Sequence, residues 1–406
     1  MKIRKRHALA AVGIATALTL TSCGAPDAGD NEPAGSSEEV PETPSEPVTL
    51  NILDVAGNLQ LTQGMIESFV EENPDIVSDV TFETSTSPEM AGKVKAQQDA
   101  GRINIDLVLT GNDGLSAGVE QDLLIELLPE FEDRLTGMEN YLEPAAAMQE
   151  LAQGYGTVVT YYPSGPLIEY DPATVPDPPA TAEELLEYAK ANPGTIQYAR
   201  PANSGPGRTL LMGLPYILGD SDPKDPENGW DKTWAYLAEL DKYIEFYPSA
   251  TTPTMTNLAN GSADIIASTT GWDINPRALG TVPAGVEVQA LDGFTWVTDA
   301  HYAVIPKGVS ADKQAAVLAL IEWMLTPDQQ AKAYDAGYFY PGPAIEDVTL
   351  DMAPEESQQV IEEFGRDEYA DLIADNPTAT PLDAKALVAA FDRWDREIGG
   401  DKVQEE

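Results

Sequence analysis

A five-residue stretch in the first third of the chain has the spacing of a nucleophilic serine site. Gly114–Gly118 reads Gly-Leu-Ser-Ala-Gly, and in hydrolases a G-x-S-x-G motif holds the serine on the sharp turn between a strand and a helix. His301 could act as its base. However, residues 111–113 separate the motif from the preceding apolar run, and the other histidine, His7, lies in an N-terminal leader. We therefore predict no catalytic residues and keep a serine hydrolase as the alternative.

The residue types that hold metals are scarce. Cys23 is the only cysteine, so the chain can form neither an internal disulfide nor a cysteine cluster for a metal. Asp220, Asp222, Asp225 and Asn228 crowd one loop, but their spacing departs from that of a calcium-binding loop. We predict no metal and no cofactor.

Polar residues follow three predicted strands in the N-terminal part of the chain. In parallel sheets, ligands sit beyond the carboxyl ends of the strands, so these residues should share one rim. Asn112 and Asp113 are the strongest candidates, because they follow the most apolar strand. The candidate ligand-binding residues of this part are Asn58, Ser87, Asn112 and Asp113.

Two adjacent tyrosines lie in a long extended stretch near the middle of the chain. Tyr161 and Tyr162 must point to opposite faces if that stretch is a strand. One of them can then face a cleft while the other packs in a core.

A second set of candidates lies further along. Ser204 and Gly205 open the stretch SGPGRT before an apolar segment, and the exposed N–H groups of a helix start suit an anionic group. Arg208 would add a bidentate donor, and Trp272 could stack on a ring. A plain turn and a core tryptophan remain the alternatives. Trp296 and Asp299 are lesser candidates.

The elements that must position these residues alternate between strands and helices. Such alternation predicts a parallel sheet with helices on both faces. Thr181 and Glu184 form a capping box at the start of a further helix. The principal predicted elements are strands 48–55, 80–84, 105–109, 263–268 and 300–306, and helices 61–72, 88–100, 182–191, 230–243 and 310–325.

The N-terminus has the pattern of an export signal. A basic head and a short apolar run, 8–20, precede Leu-Thr-Ser-Cys, and a run of this length is too short to span a bilayer as a helix. The pattern resembles the bacterial lipobox, which implies acylation of Cys23, with palmitate as one possible chain. We predict a signal peptide over 1–22 and a disordered acidic tether over 23–47.

The charge of the chain excludes one class of partner. The 68 acidic residues exceed the 23 basic ones, for a formal net charge of -45. Nucleic-acid binding requires a basic surface, so we predict no nucleic-acid partner.

Several stretches together resemble the extracellular solute-binding proteins of ABC importers. One stretch is similar to the YnjB-like branch of the thiamine, iron and polyamine group, although residues 203–207 depart from the usual pattern of that branch. The stretches are NIDLVLTGNDGLSAGVEQDLL, GTVVTYYPSGPLIEYDPATVPDPPATAEELLEYA, NGSADIIASTTGW, HYAVIPKGVSADKQAAVLALIEWMLTPDQQAKA and, for the branch, AEELLEYAKANPGTIQYARPANSGPGRTLLMGL.

This resemblance implies an α/β fold with two lobes, of the type II periplasmic-binding-protein class, with parallel-rich sheets and hinge crossovers. Lobe 1 would comprise residues 48–160 and 298–345, and lobe 2 residues 161–297 and 346–406.

The implied function is that of a monomer, held by lipid on the outer face of the cell membrane, that delivers a small polar solute to an ABC permease. The candidate solutes are a polyamine, a thiamine-like heterocycle, a phosphonate and a sugar. Ferric iron is less expected, because the paired tyrosines of iron-binding members lie elsewhere in the chain. A receptor that signals without delivering is the alternative within the class.

Overall fold

This computed structural model describes residues 39–55 and 57–404. The predicted signal peptide, Cys23 and most of the predicted tether lie outside the described residues. Ser87 has a described backbone, but its side chain is outside what the structure describes.

The described chain alternates strands and helices, as predicted. The strands are β1 (Val48–Val55), β2 (Val77–Ser85), β3 (Leu107–Thr110), β4 (Thr157–Gly165), β5 (Leu167–Tyr170), β6 (Ile196–Gln197), β7 (Tyr247–Pro248), β8 (Ile265–Ser268), β9 (Glu287–Gln289), β10 (Trp296–Val304), β11 (Thr378–Ala379) and β12 (Val403–Gln404).

The helices cover both sheets. They are α1 (Leu59–Glu72), α2 (Ser87–Asp99), α3 (Asn112–Glu120), α4 (Glu143–Leu151), α5 (Ala182–Ala191), α6 (Gly205–Ile217), α7 (Asp231–Leu240), α8 (Thr251–Ala259), α9 (Ile274–Ala278), α10 (Ala311–Met324), α11 (Pro327–Gln330), α12 (Glu355–Phe364), α13 (Glu368–Asp375) and α14 (Ala384–Glu397). Among the described residues, no helix combines the length and apolar character needed to cross a bilayer.

The first sheet has the strand order β11-β10-β3-β1-β2, and β4 also pairs with β10. Strands β2, β1 and β3 are parallel, whereas β10 runs antiparallel to β3 and β4. Side chains of β1 alternate between two cores, because Leu50 and Ile52 pack on one face and Leu53 and Val55 on the other. We call the body around this sheet lobe 1.

The second sheet has the order β6-β8-β5-β9 and forms the centre of lobe 2. Only β6 and β8 are parallel here, since β5 runs antiparallel to both β8 and β9. The lobe is therefore less rich in parallel pairs than predicted. The reason is that β5 follows β4 with Pro166 alone between them and so enters the sheet without a βα unit.

The chain passes between the sheets at Pro166 and again between β9 and β10. The C-terminal helix α14 returns to lobe 2, where Trp394 packs edge-on against Tyr247 with ring centroids 4.9 Å apart. The architecture is the predicted two-lobe α/β fold, with mixed sheets and crossovers between them.

Local sequence signals explain where some elements begin. The predicted capping box at the start of α5 is confirmed: the Glu184 N–H donates to the Thr181 hydroxyl at 3.1 Å, and the Thr181 N–H donates to the Glu184 carboxylate at 3.3 Å.

Residues 40–47, the last part of the predicted tether, lie against lobe 1. Val40 packs beside its core, and the Arg134 guanidinium donates to the Pro41 carbonyl at 3.0 Å. The Ser45 hydroxyl donates to Asp312 at 2.6 Å. Composition predicted a disordered tether up to residue 47, but contacts with lobe 1 begin near residue 40. A few polar partners hold this segment, although it has little apolar surface of its own.

Candidate functional site

The end of β3 supplies the first two residues of the site. All four residues of β3 are buried, and the chain turns at Gly111 directly into α3. Asn112 and Asp113 therefore occupy the first turn of a helix, where the sequence had predicted a polar loop. This start directs Asn112 toward β10, and its Nδ2 donates to Asp299 Oδ1 at 3.2 Å.

Asp299 on β10 is the carboxylate on which the site converges. Its Oδ1 also accepts the Ala300 N–H at 3.0 Å, and its Oδ2 accepts the Tyr162 hydroxyl at 2.8 Å and Arg208 Nη2 at 3.1 Å. Four donors thus satisfy both oxygens of a side chain that is nearly buried. The sequence made Asp299 only a lesser candidate, which precedes the predicted strand 300–306.

Helix α6 of lobe 2 brings Arg208 to this carboxylate. Ser204 caps the helix by accepting the Gly207 N–H at 3.2 Å, so its hydroxyl serves the helix start. Arg208 Nη1 also lies 4.0 Å from the Asp113 carboxylate. Burial opposes the charge, but Asp299 and Asp113 outweigh it and raise the pKa of Arg208 further above its ordinary value.

The side chains of the two adjacent tyrosines point to opposite faces of β4, as the geometry of a strand requires. Tyr161 packs in the lobe 1 core, and Tyr162 faces the cleft between the lobes. The Tyr162 ring stacks on Phe339 with centroids 4.7 Å apart and planes inclined by 29°. Tyr162 thus contributes both a hydroxyl to Asp299 and a ring surface.

A segment that sequence reasoning did not select, residues 335–342, inserts two aromatic rings between the lobes. Tyr338 meets Trp272 of lobe 2 edge-on at 5.8 Å, and Phe339 lies beside Gly271. A methyl group at Gly271 would stand 2.4 Å from the Phe339 ring, so glycine is required for this approach. The density of Gly, Pro and aromatic residues in AGYFYPGP was the available signal.

Several buried polar atoms in and around the cleft have no hydrogen-bond partner. Both side-chain atoms of Asn58 are unpaired, as are Asn112 Oδ1 and the hydroxyls of Thr269 and Thr270. Buried polar groups in native proteins are nearly always paired. These atoms therefore offer unused donors and acceptors to a polar molecule.

The predicted residues fall into four groups. Asn112, Asp113, Tyr162 and Arg208 meet around Asp299, while Gly205 lies against Trp272, whose indole nitrogen would be 3.8 Å from a methyl at that glycine. Asn58 precedes α1, and its neighbour Gly57 faces Tyr338 of the same cleft. Tyr161 packs in a core, Ser204 caps α6, and Ser87 opens α2.

In the part of the chain that the structure describes, no histidine pairs with the serine of the Gly-Leu-Ser-Ala-Gly motif. Ser116 lies inside α3 and not on a strand-to-helix turn. The Nδ1 atom of His301 lies 3.1 Å from the Thr160 hydroxyl, and burial lowers the pKa of His301 to about 4. His301 is a paired interior histidine. Among the described residues there is also no group of three or more His, Cys, Asp or Glu side chains that could hold a metal.

Part of the chain is similar in sequence to a known protein. Over 181 residues the chain is 30% identical to protein YnjB of Escherichia coli K12, a match that covers 39% of this chain and 44% of that protein. The match therefore spans less than half of the relative.

Solved structures share the fold at low sequence identity. An ABC transporter protein of Clostridium perfringens superposes with a TM-score of 0.64 at 16% identity, over 86% of this chain and 100% of that one. The spermidine/putrescine ABC transporter substrate-binding protein PotD of Streptococcus pneumoniae gives 0.58 at 17% identity, over 86% and 99%.

The family model for bacterial extracellular solute-binding proteins matches residues 64–361, which carry most of both lobes and every cleft residue described above except Asn58. The chain belongs to the family of bacterial extracellular solute-binding proteins.

Proposed function

We propose that this protein is the solute-binding component of an ABC importer, capturing a small polar solute between its lobes and delivering it to a membrane permease. The observation that carries the proposal is the set of unpaired polar atoms of Asn58, Asn112, Thr269 and Thr270. They come from both lobes, at the starts of α1 and α3 in lobe 1 and directly after β8 in lobe 2.

These unpaired polar atoms suit a protein that binds a solute without catalysing a reaction on it. A solute that pairs with groups of both lobes favours the closed form over the open one, and a permease can then distinguish the two forms. The crossings at Pro166 and between β9 and β10 are the places where the backbone would bend. The protein would act as a monomer.

We further propose that Cys23 carries the lipid that holds the protein on the outer face of the membrane. The basic head, the apolar run and the Leu-Thr-Ser-Cys sequence support this anchoring. Substitution of Cys23 by alanine should move the protein from the membrane fraction to the medium. Retention of the C23A variant in the membrane fraction would remove lipid anchoring from the proposal.

Thermal unfolding in the presence of polyamines, heterocycles, phosphonates and sugars tests solute binding, because a ligand that binds the folded state alone raises the melting temperature. We expect at least one saturable increase, weakened in Asn112→Ala. Affinity purification from membranes should recover a permease. If no solute stabilises the protein and no permease co-purifies, the transport function is wrong.

A further inference from the structure

Two carboxylates near the start of α1 have no role in the contacts around Asp299. Asp54, near the end of β1, is 6% exposed, and its Oδ1 accepts the Leu59 N–H at 3.3 Å. Asp335 lies in the segment that carries Tyr338, and its Oδ2 is buried without a partner. Its backbone is left-handed, with φ 30° and ψ 58°, a conformation that a residue other than glycine adopts at a cost and that is often found at binding sites.

Neither carboxylate has a cation beside it. No described Lys or Arg forms an ion pair with Asp54 or Asp335, although the structure pairs many other surface and interior carboxylates. Burial raises the pKa of Asp54, and burial raises the pKa of Asp335 to about 6. Burial together with Asp335 and Asp54 raises the pKa of Tyr338 to about 12, so both carboxylates act on the same hydroxyl.

An unpaired amide adjoins these carboxylates. Asn58 is completely buried, and neither its Oδ1 nor its Nδ2 has a partner. Its backbone N–H faces the Asp54 carboxylate. The neighbouring Gly57 faces Tyr338, since a methyl at Gly57 would lie 3.9 Å from the tyrosine hydroxyl. Asn58 thus brings an unused hydrogen-bonding side chain to the short segment that contacts both Asp54 and Tyr338.

The surrounding charges disfavour an anion here. The backbone N–H groups at the start of α1 would attract an anion, but the Asp54 carboxylate already accepts the Leu59 N–H there. Arg208, the cation that α6 contributes to the cleft, is already paired with Asp299 and close to Asp113. The cleft therefore contains more carboxylates than cations.

We propose that Asp54, Asp335 and Asn58 form a subsite for an organic ammonium group of the solute. The two carboxylates supply opposite charge, the Asn58 carbonyl accepts an ammonium N–H, and the face of Tyr338 or Trp272 adds cation–π attraction. This assignment rests on the proposed solute-binding function and names the chemical class of the solute.

The test is thermal unfolding of the full chain, purified in detergent, at constant ionic strength. The ammonium probes are 1,4-diaminobutane and tetramethylammonium, and 1,4-butanediol is the neutral counterpart of the diamine. Methylphosphonate and calcium chloride serve as an anion and a metal. We expect a saturable rise in melting temperature with at least one ammonium probe and none with butanediol.

Variants connect this rise to the subsite. Asp335→Asn and Asp54→Asn should each weaken the apparent affinity at least tenfold. Asp75→Asn is the matched control, because it removes the same charge from an exposed position and should leave the affinity unchanged. Asn58→Leu should weaken binding while leaving the melting temperature without solute unchanged or higher, since it removes buried polar atoms that have no partner.

The outcomes separate this inference from the proposed function. A saturable response to butanediol, methylphosphonate or calcium without any response to ammonium overturns the ammonium subsite and leaves solute binding intact. Unchanged ammonium affinity in both Asp variants also overturns it. Lack of response to every solute, together with absence of a permease partner, removes the proposed function itself.

Discussion

Arg208 Nη2 on α6 and Asp299 Oδ2 on β10 lie 3.1 Å apart and join the two lobes through one ion pair. The pair is partly buried, since 21% of the arginine side chain and 12% of the aspartate side chain are exposed. Asp299 in turn holds Asn112 and Tyr162 of lobe 1. The contact between the lobes and the polar lining of the cleft therefore depend on the same carboxylate.

Replacing this arginine should destabilise the closed form. Arg208→Met leaves the Asp299 carboxylate without its cation, and we expect the free energy of unfolding to fall by about 2 kcal/mol. The radius of gyration measured by X-ray scattering should also increase. Arg396→Met is the control, because that arginine is 64% exposed and exposed ion pairs contribute little. Equal effects of the two substitutions would contradict a role for Arg208 between the lobes.

The tyrosine pair offers a test that changes one oxygen atom. Tyr162→Phe keeps the stacking on Phe339 but removes the 2.8 Å hydrogen bond to Asp299. We expect a loss of about 1–2 kcal/mol in chemical denaturation. Tyr161→Phe is the matched control, because its hydroxyl has no hydrogen-bond partner among the described residues, and it should change stability by less than about 0.5 kcal/mol. The contact is unimportant if both variants unfold at the same denaturant concentration.

Close packing at Gly271 predicts a second contrast. Gly271→Ala would place a methyl 2.4 Å from the Phe339 ring and 3.1 Å from its Cα. We expect destabilisation by about 1–3 kcal/mol, because a crowded contact must shift. Gly285→Ala meets nothing within 4 Å and should be neutral. Differential scanning calorimetry of both variants measures the difference, and a neutral Gly271→Ala would show that the segment around Phe339 moves freely.

Burial of His301 predicts an acid-dependent loss of stability. Its pKa is about 4 in the folded chain, below the ordinary value of 6.5, so protons bind the unfolded chain more tightly between these values. Stability should therefore fall as the pH decreases from 6.5 toward 4. The contribution is about 3 kcal/mol at pH 4.

His301→Asn should lose this contribution, so its unfolding free energy should depend less on pH than that of the wild type. In the wild-type NMR spectrum the His301 imidazole signal should not titrate between pH 5 and 8. A midpoint near 6.5 would contradict the buried neutral state.

Much of the fold could be predicted because local patterns determine it. The continuous apolar and β-branched runs predicted β1 and β3, and the capping box predicted the start of α5. The resemblance to extracellular solute-binding proteins is confirmed by the family match over residues 64–361. The antiparallel pairing of β5 was not predicted, since strand direction depends on a crossing between sheets that no local pattern records.

The site was harder to predict for the same reason. Asn112 was selected because it follows the most apolar predicted strand, and Arg208 because it lies in the stretch SGPGRT before an apolar segment. Asp299 was only a lesser candidate and Phe339 was not selected, since their roles come from contacts with residues far away in the chain. Asp299 meets Asn112 across 187 positions, and a single sequence carries no signal for that encounter.

The edge-on contact between Trp272 and Tyr338 has a further consequence for how the molecule can be observed. Trp272 packs with lobe 2, while Tyr338 belongs to a cluster that includes Leu61 of lobe 1. The emission of an indole shifts toward longer wavelength when water replaces a neighbouring ring. Separation of the lobes should therefore shift the fluorescence emission of Trp272. Comparison with Trp272→Phe separates that shift from the emission of the other tryptophans. The protein carries an intrinsic optical reporter of its own opening, which needs no knowledge of the solute.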